Sequence, residues 1–282
     1  AGRYPVRVAP LSSQQGAARA KNVGARVAEG DVLFFTDADV LLPPDALSLA
    51  AERLADPSVS GVVGLLGERI RTMDLGSQYK NLWMHYTYRR QPLEVGLFFT
   101  SAASLRRGIF KATGGFDERY RGASEGEDIE FGQRLRTRGE RILLEQRLLV
   151  EHLKRYSPAD VLRTDFRRAR GLALIFLRNR LGGGHSRHYA SVPATFGLSV
   201  PLAGALAAAL IALPWRPPAA GAAAALSYAL MLALNAGFLA FLVRLRGALF
   251  GVQSALFLPF DLLAAGLGVA RALFDFARGV RY

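Results

Sequence analysis

The sequence contains no cysteine, which excludes disulfide bonds, thiolate zinc sites and a cysteine nucleophile. Acidic residues are also scarce: 23 Asp and Glu stand against 36 Lys and Arg, a formal net charge of +13 at pH 7. Apolar residues make up 51% of the 282 positions, so the chain can bury a core and is neither disordered nor collagen-like. The excess positive charge requires an anionic partner, for which nucleic acid, anionic lipid and nucleotide phosphates are the candidates.

Much of the positive charge is concentrated in one segment. Residues 153–189 carry nine Lys or Arg against two Asp, which supplies +7 of the +13. The segment directly precedes a long apolar stretch, and cations concentrate there on the cytoplasmic flank of a membrane span. We therefore expect residues 156–190 to form a basic interfacial helical segment. No nucleic-acid partner is expected, because no zinc-finger, basic-zipper or RNA-binding motif accompanies the cations.

The last third of the chain contains three apolar stretches of membrane-spanning length within a transmembrane region at 191–274. The first two carry no charged residue, and about 20 residues at 1.5 Å each cross a hydrocarbon core of roughly 30 Å. With the basic segment on the inside, they predict a hairpin whose ends both face the cytoplasm. The predicted helices are about 192–213, 219–243 and 248–272.

The third stretch is less uniform, because Pro259, Asp261 and Arg271 interrupt it. We expect a third span; an interfacial helix is the alternative, since a span would place the basic tail at 275–282 outside, against the usual charge bias. Asp261 is either a functional candidate or a carboxylate satisfied by a partner.

Residues 1–155 have the pattern of a soluble α/β domain. Ser12 or Ser13 is predicted to cap a first helix. The apolar run at 32–35 is typical of a strand covered on both faces, and further strands are predicted at 59–66 and from residue 142. A helix after Pro43 and Pro44 is expected to bury one face, made of Leu47, Ala50, Ala51 and Leu54.

Two aspartates follow the first predicted strand. Asp37 and Asp39 stand on alternate residues at its carboxyl end, where open α/β sheets bind their ligands. Carboxylate oxygens suit Mg²⁺ or Mn²⁺, ions that neutralise charge on a departing diphosphate. A solvated turn is the alternative for an Asp-x-Asp sequence in isolation.

A second acidic group, Glu127 and Asp128, falls at a predicted helix start. Carboxylates at that position are favoured by the helix dipole, so capping is one explanation. A general base is the other explanation.

Four motifs occur in the order "GAARAKNVGARVAEGDVLFFTDADV", "TSAASLRRGIFKATGGFDERY", "GEDIEFGQRLRTRG" and "VEHLKRYS". Together they resemble the family 2 glycosyltransferases, over roughly 150 residues, and the apolar tail resembles that of bacterial members. The resemblance implies an α/β, GT-A type nucleotide-sugar-binding domain, a mixed sheet with flanking helices, followed by C-terminal transmembrane helices.

The resemblance also implies site residues. Asp37 and Asp39 would hold a divalent metal, Mg²⁺ or Mn²⁺, and contact the nucleoside-diphosphate sugar, and His152 would complete the metal site. Lys21 and Asn22 would line the nucleotide pocket, with an exposed helix face as the alternative for both. A structural histidine is the alternative for His152.

Asp128 matches the family's catalytic base, with Glu127 as the alternative. The implied activity is inverting transfer of a sugar to a lipid-linked or polysaccharide acceptor by a multi-pass protein of the inner membrane, with its catalytic domain in the cytoplasm. The rings of Trp83, His85, Tyr86 and Tyr88 are candidates for contact with an acceptor sugar, although packing against the sheet is the more common role of such residues.

The sequence departs from the family at its beginning. The family's first strands, which hold the nucleobase, have no counterpart, so we expect an N-terminally truncated domain. A metal-independent hydrolase and a non-catalytic membrane scaffold or polysaccharide-export partner are the competing interpretations. Metal dependence would separate the hydrolase from the transferase.

Overall fold

The computed structural model describes residues 6–121, 126–181 and 192–282. The part of the basic segment at 182–190, including Arg187, lies outside the described residues. The elements in chain order are α1 (Ala17–Val27), β1 (Val32–Phe35), β2 (Val40–Leu41), α2 (Ala46–Leu54), β3 (Gly61–Leu66), α3 (Leu75–Tyr88), β4 (Ala103–Arg106), α4 (Arg107–Thr113), α5 (Glu127–Thr137), β5 (Ile142–His152), α6 (Pro158–Leu181), α7 (Ala194–Ala212), α8 (Pro217–Leu234), α9 (Ala236–Arg246) and α10 (Ala248–Ala277).

The strands form a mixed sheet in the order β1-β4-β3-β5-β2. β3 and β5 are parallel, and the remaining pairs are antiparallel. The predicted architecture, a mixed sheet with flanking helices followed by apolar helices, is confirmed. The strand predicted at 32–35 is present, but it lies at an edge of the described sheet. It buries Leu33 and Phe35, whereas Val32 is 41% exposed.

Two helices differ from their predicted form. α1 begins after Gly16 rather than at Ser12 or Ser13, because Gly16 adopts φ +87° and packs against the backbone of Arg121. α2 buries Ala46, Leu49, Ala50 and Leu54, so the predicted face is wrong by about one residue of helical rotation. Leu47 is 63% exposed as a result.

Within the described residues, three helices, α7, α8 and α10, are long and apolar enough to cross a membrane. The second predicted stretch is divided at Asn235, where α8 ends and α9 begins. The Asn235 side chain there donates to the hydroxyl of Ser199 at 2.8 Å and to the carbonyl of Met231 at 2.9 Å. α10 continues through Pro259 for 30 residues.

The sheet and the apolar helices share one core through α3. The Tyr79 ring packs edge-on against Phe238 of α9 and Phe257 of α10, and its hydroxyl donates to Asp261 at 3.0 Å. Asp261 therefore has a partner at Oδ2, one of the two roles expected for it, whereas its buried Oδ1 has no hydrogen-bond partner among the described residues. α6 runs along α10, where Arg170 donates to Asp275 at 2.7 Å.

Candidate active site

A cleft of about 280 Å³ opens beside the carboxyl end of β1. Its walls come from α1, the β1–β2 connection, α3, the start of α5, the end of β5 and α6. Six of the seven predicted site residues line it: Lys21, Asp37, Asp39, Glu127, Asp128 and His152.

Asp37 is fixed by neighbours on both sides of its carboxylate. Oδ2 accepts a hydrogen bond from the Ser101 hydroxyl at 2.8 Å, and Oδ1 lies 3.7 Å from Lys21 Nζ. Thr36 holds the same loop, since its hydroxyl donates to the Ser101 carbonyl at 3.1 Å. The end of β1 is thereby anchored to the segment that precedes β4.

Asp39 lies next to His152 because β2 pairs with the end of β5, which places Val40 opposite His152. His152 Nε2 is 3.7 Å from Asp39 Oδ2, and Nδ1 is 2.8 Å from Asn81 Oδ1. The Asn81 amide nitrogen donates to the Ser77 carbonyl, which assigns its oxygen as the acceptor for His152 Nδ1–H. The Nε2 lone pair therefore faces Asp39.

The protonation state of His152 is suitable for coordinating a metal ion. Burial lowers the pKa of its imidazole below the ordinary value of 6.5, and the negative charge of Asp39 opposes this shift only in part. The ring is neutral at pH 7, which is the form that coordinates metal ions. The amide of Asn81 fixes the orientation of the ring in the way that outer partners do in metal sites.

Lys21 joins the two acidic groups of the cleft. Its ammonium donates to the Thr100 hydroxyl at 2.5 Å and lies 3.7 Å from both Asp37 Oδ1 and Glu127 Oε1. A half-buried cation between carboxylates lowers their mutual repulsion.

Asn22 is directed away from the cleft. Its side chain is buried, donates to the Phe116 carbonyl at 2.9 Å and accepts from the Phe116 N–H at 2.9 Å. These hydrogen bonds stabilise a turn in which Gly115 adopts φ +71°. A Cβ at Gly115 would lie only 2.6 Å from Asn22 Oδ1, so the turn has no room for a side chain there. The predicted nucleotide contact of Asn22 stays a prediction.

Glu127 and Asp128 begin α5, as predicted, directly after Gly126 with φ +98°. Glu127 is only 8% exposed, and burial, followed by the negative charge of Asp128, raises its pKa above the ordinary value of 4.5. Asp128 is more accessible and lines the same cleft. The two adjacent carboxyl groups therefore differ in environment, and Asp128 is the more exposed of the two.

No group of three His, Asp or Glu side chains within the described ranges is close enough to hold a metal ion. Asp39 and the neutral His152 supply two suitable donors, while the oxygens of Asp37 face Ser101 and Lys21. Mg²⁺ is commonly held by one or two carboxylates together with the phosphates of a substrate. The donor chemistry thus fits a divalent ion that arrives with a diphosphate.

Three charged residues of the cleft were not predicted as site residues: Lys80, Lys154 and Arg168. Arg168 belongs to the segment that was expected to be interfacial; in α6 it lines the cleft and donates to the Tyr88 hydroxyl. Lys80 lines the cleft from α3 and forms an ion pair with Asp165. The basic composition of α6 is the one sequence signal that pointed toward Arg168, and Lys80 has none.

Residues 2–114 match the model of the family described as Glycosyl transferase family 2. The match includes Lys21, Asp37 and Asp39, and it ends before Glu127. No protein in the curated set matches the chain.

Similar solved structures include two proteins whose crystal structures contain nucleotides. S. aureus TarS 1-349 in complex with UDP-GlcNAc is 16% identical, with a TM-score of 0.42 over 98% of this chain and 76% of that one. GalNAc-T7 with UDP, GalNAc and Mn²⁺ is 18% identical, with a TM-score of 0.39 over 52% of this chain. The chain spans about a third of GalNAc-T7, 32% of its length.

Proposed function

We propose that the chain, whose residues 2–114 match the model of glycosyltransferase family 2, is a membrane-anchored, inverting and metal-dependent enzyme. It transfers a sugar from a nucleoside-diphosphate sugar to a lipid-linked or polysaccharide acceptor. One observation carries the proposal: carboxylates from the β1–β2 connection and from α5 line one cleft together with Lys21 and His152.

The residues divide the chemistry between two sides of the cleft. Asp39 and His152, with Asp37 beside them, would hold a divalent ion, which neutralises charge on the leaving diphosphate when bound. Lys21 contributes a second positive charge next to Asp37. These groups lower the energy of the transition state because negative charge increases on the leaving phosphate.

Asp128 acts on the acceptor in this proposal. Its carboxylate takes the proton of the acceptor hydroxyl while that oxygen forms a bond to the anomeric carbon. The bond from that carbon to the phosphate oxygen breaks on the opposite side, so a single displacement inverts the centre. Glu127 is less suited to this role, because its side chain is only 8% exposed, which limits contact with an acceptor.

The proposed location is the inner membrane, with the cleft on the cytoplasmic side. The three long apolar helices support membrane association. The arginines of α6, among them Arg163 and Arg167, precede α7 and support cytoplasmic placement of the cleft under the positive-inside rule.

The first experiment measures nucleotide binding. We expect UDP or GDP with Mn²⁺ to raise the melting temperature of the detergent-solubilised chain, and Asp39→Asn to abolish the shift. Asp31→Asn is the matched control, because Asp31 precedes the same strand but its side chain is fully exposed. A shift that persists in Asp39→Asn would exclude the metal assignment.

The second experiment separates binding from chemistry. Asp128→Asn should preserve the nucleotide-induced shift and lower turnover by about 10²-fold to 10⁴-fold, the usual contribution of a general base. Turnover is measured as nucleoside diphosphate released from a panel of nucleotide sugars with membrane extract as the acceptor source. Unchanged turnover would remove Asp128 from the mechanism, and loss of binding would indicate a structural role.

A further inference from the structure

A second cavity, of about 400 Å³, lies beside the cleft, and we call it the apolar groove. Twelve of its fourteen lining residues are uncharged and apolar, and the other two are Asp165 and Arg168. Its walls come from α6, α7 and α10, with Leu172, Ala173, Phe196, Val200, Ala265 and Val269 among the contributing residues.

Trp83 of α3 forms the inner wall of the apolar groove. Its ring packs edge-on against Phe196 with the centroids 5.2 Å apart, and it is 6% exposed. The outer walls belong to α7 and α10, two of the helices long enough to cross a membrane. Leu198 and Leu267 on these helices are 61% and 57% exposed, so apolar surface surrounds the groove.

Arg168 joins the apolar groove to the cleft. It is the only residue among the described ones that lines both cavities. Asp165, the other charged residue of the groove, is already paired with Lys80. Arg168 donates to the uncharged Tyr88 hydroxyl, and no described carboxylate lies within 4.0 Å of its guanidinium. A partly buried cation thus stands where an apolar cavity meets the catalytic cleft.

We infer that the acceptor is a long-chain lipid whose chain occupies the apolar groove, whose phosphate binds Arg168 and whose head group carries, beyond that phosphate, the hydroxyl that receives the sugar. The inference rests on the proposed function and names its acceptor class. A guanidinium binds phosphate through paired N–H donors, and an apolar groove of this size accommodates part of an alkyl or isoprenoid chain. Free phosphate would satisfy Arg168 but would leave the groove without an occupant.

The bound lipid would present its head group to Asp128. The head-group hydroxyl loses its proton to the Asp128 carboxylate and forms the new bond to the anomeric carbon, and the nucleoside diphosphate leaves with the electron pair of the broken bond. The phosphate on Arg168 keeps its own bonds throughout. Arg168 is a binding residue in this scheme, and its charge fixes the position of the head group relative to the cleft.

The test uses Trp83 as the reporter. The chain has two tryptophans, so Trp215→Phe leaves Trp83 as the sole indole fluorophore. The probe is hexadecyl phosphate brominated on its chain, which quenches an indole on contact, and the full chain is studied in zwitterionic nanodiscs. Two further samples serve as comparisons: brominated hexadecanol, which has the chain without the phosphate, and inorganic phosphate, which lacks the chain. We expect saturable quenching by the lipid phosphate, weaker binding of the alcohol and little competition from inorganic phosphate.

The charge is tested at Arg168. Arg168→Gln should weaken the binding of the lipid phosphate by about tenfold or more, which is the order of a charge-assisted hydrogen bond. The binding of the alcohol should be unchanged. Arg168→Lys should restore part of the affinity. Arg167→Gln is the matched control, because Arg167 is the exposed neighbour. Equal affinity in Arg168→Gln, or full competition by inorganic phosphate, would overturn the inference.

The apolar groove is tested at Gly197. A Cβ at Gly197 or at Gly204 of the same helix meets no other atom within 4 Å, so both accept a side chain. Gly197 lines the groove and Gly204 does not. Gly197→Leu should abolish quenching by both lipids, and Gly204→Leu should leave it intact. Quenching that survives Gly197→Leu would exclude the groove.

The nucleotide experiment is run on the same samples. If UDP and GDP with Mn²⁺ bind but the lipid phosphate does not quench Trp83, the acceptor class is refuted and the proposed function stands. If neither nucleotide binds, the proposed function falls, and lipid binding alone would then describe a site without transfer chemistry.

Discussion

Gly268 permits the close contact between α10 and α6, and replacing it gives a quantitative test of that packing. A Cβ at this position would lie 2.2 Å from the Phe166 carbonyl oxygen and 3.2 Å from the Ala169 Cβ. Non-bonded atoms prefer about 3.5 Å or more, so Gly268→Ala forces α6 to move by roughly 1 Å. Overpacking of this kind costs about 1–3 kcal/mol.

The control for this variant lies on another apolar helix. Gly204→Ala adds the same methyl group where nothing lies within 4 Å, so the intrinsic helix propensity gained by alanine is common to both variants. The difference in unfolding free energy between the two variants is therefore expected to equal the overpacking cost. It is measured by reversible unfolding in mixed detergent micelles with increasing SDS.

The same displacement has a functional readout. Phe166 and Ala169 flank Arg168, so moving this part of α6 shifts the guanidinium between the cleft and the apolar groove. Quenching of Trp83 by the brominated lipid phosphate should weaken in Gly268→Ala and persist in Gly204→Ala. Equal stability and equal lipid affinity of the two variants would refute the packing argument.

Two further predictions concern buried charges near the cleft. Lys80→Met should destabilise the chain by about 3–5 kcal/mol, because it leaves Asp165 buried without its partner, and Lys80→Met with Asp165→Asn should recover most of the loss in thermal unfolding. Glu127→Gln should be more stable than the parent at pH 7.5, with the difference closing toward pH 4.5. The pKa of Glu127 is raised in the folded chain, so ionisation of its carboxyl group destabilises the folded state once the pH exceeds the ordinary pKa of 4.5. Equal stability of Glu127→Gln and the parent at pH 7.5 would contradict this prediction.

The features that the sequence predicted correctly depend on local patterns. The apolar run at 32–35 defines β1 without reference to other segments, and Asp37 and Asp39 follow its end. Glu127 and Asp128 begin α5 because carboxylates are favoured at a helix start. The position of Asp37 and Asp39 at the cleft follows from the general position of ligands at the carboxyl ends of strands.

The features that the sequence did not predict depend on distant contacts. The division of the second apolar stretch at Asn235 accompanies a hydrogen bond to Ser199, 36 residues away. Arg168 has the same composition signal as its neighbours Arg167 and Arg170, yet packing against α3 turns it to the cleft. The predicted buried face of α2 is offset from the observed one because both sets of residues satisfy the helical period.

The participation of α3 in both the sheet and the helical core limits how this protein can be engineered. Arg246, at the end of α9, donates to the Gln78 side chain at 2.6 Å and to the Glu68 carbonyl at 2.8 Å. Expression of residues 1–155 alone would expose Tyr79 and Trp83 to water and leave Lys80 without Asp165. Deleting the apolar helices is therefore not expected to leave a folded, water-soluble domain, and joining the cleft to other apolar helices would require redesign of α3.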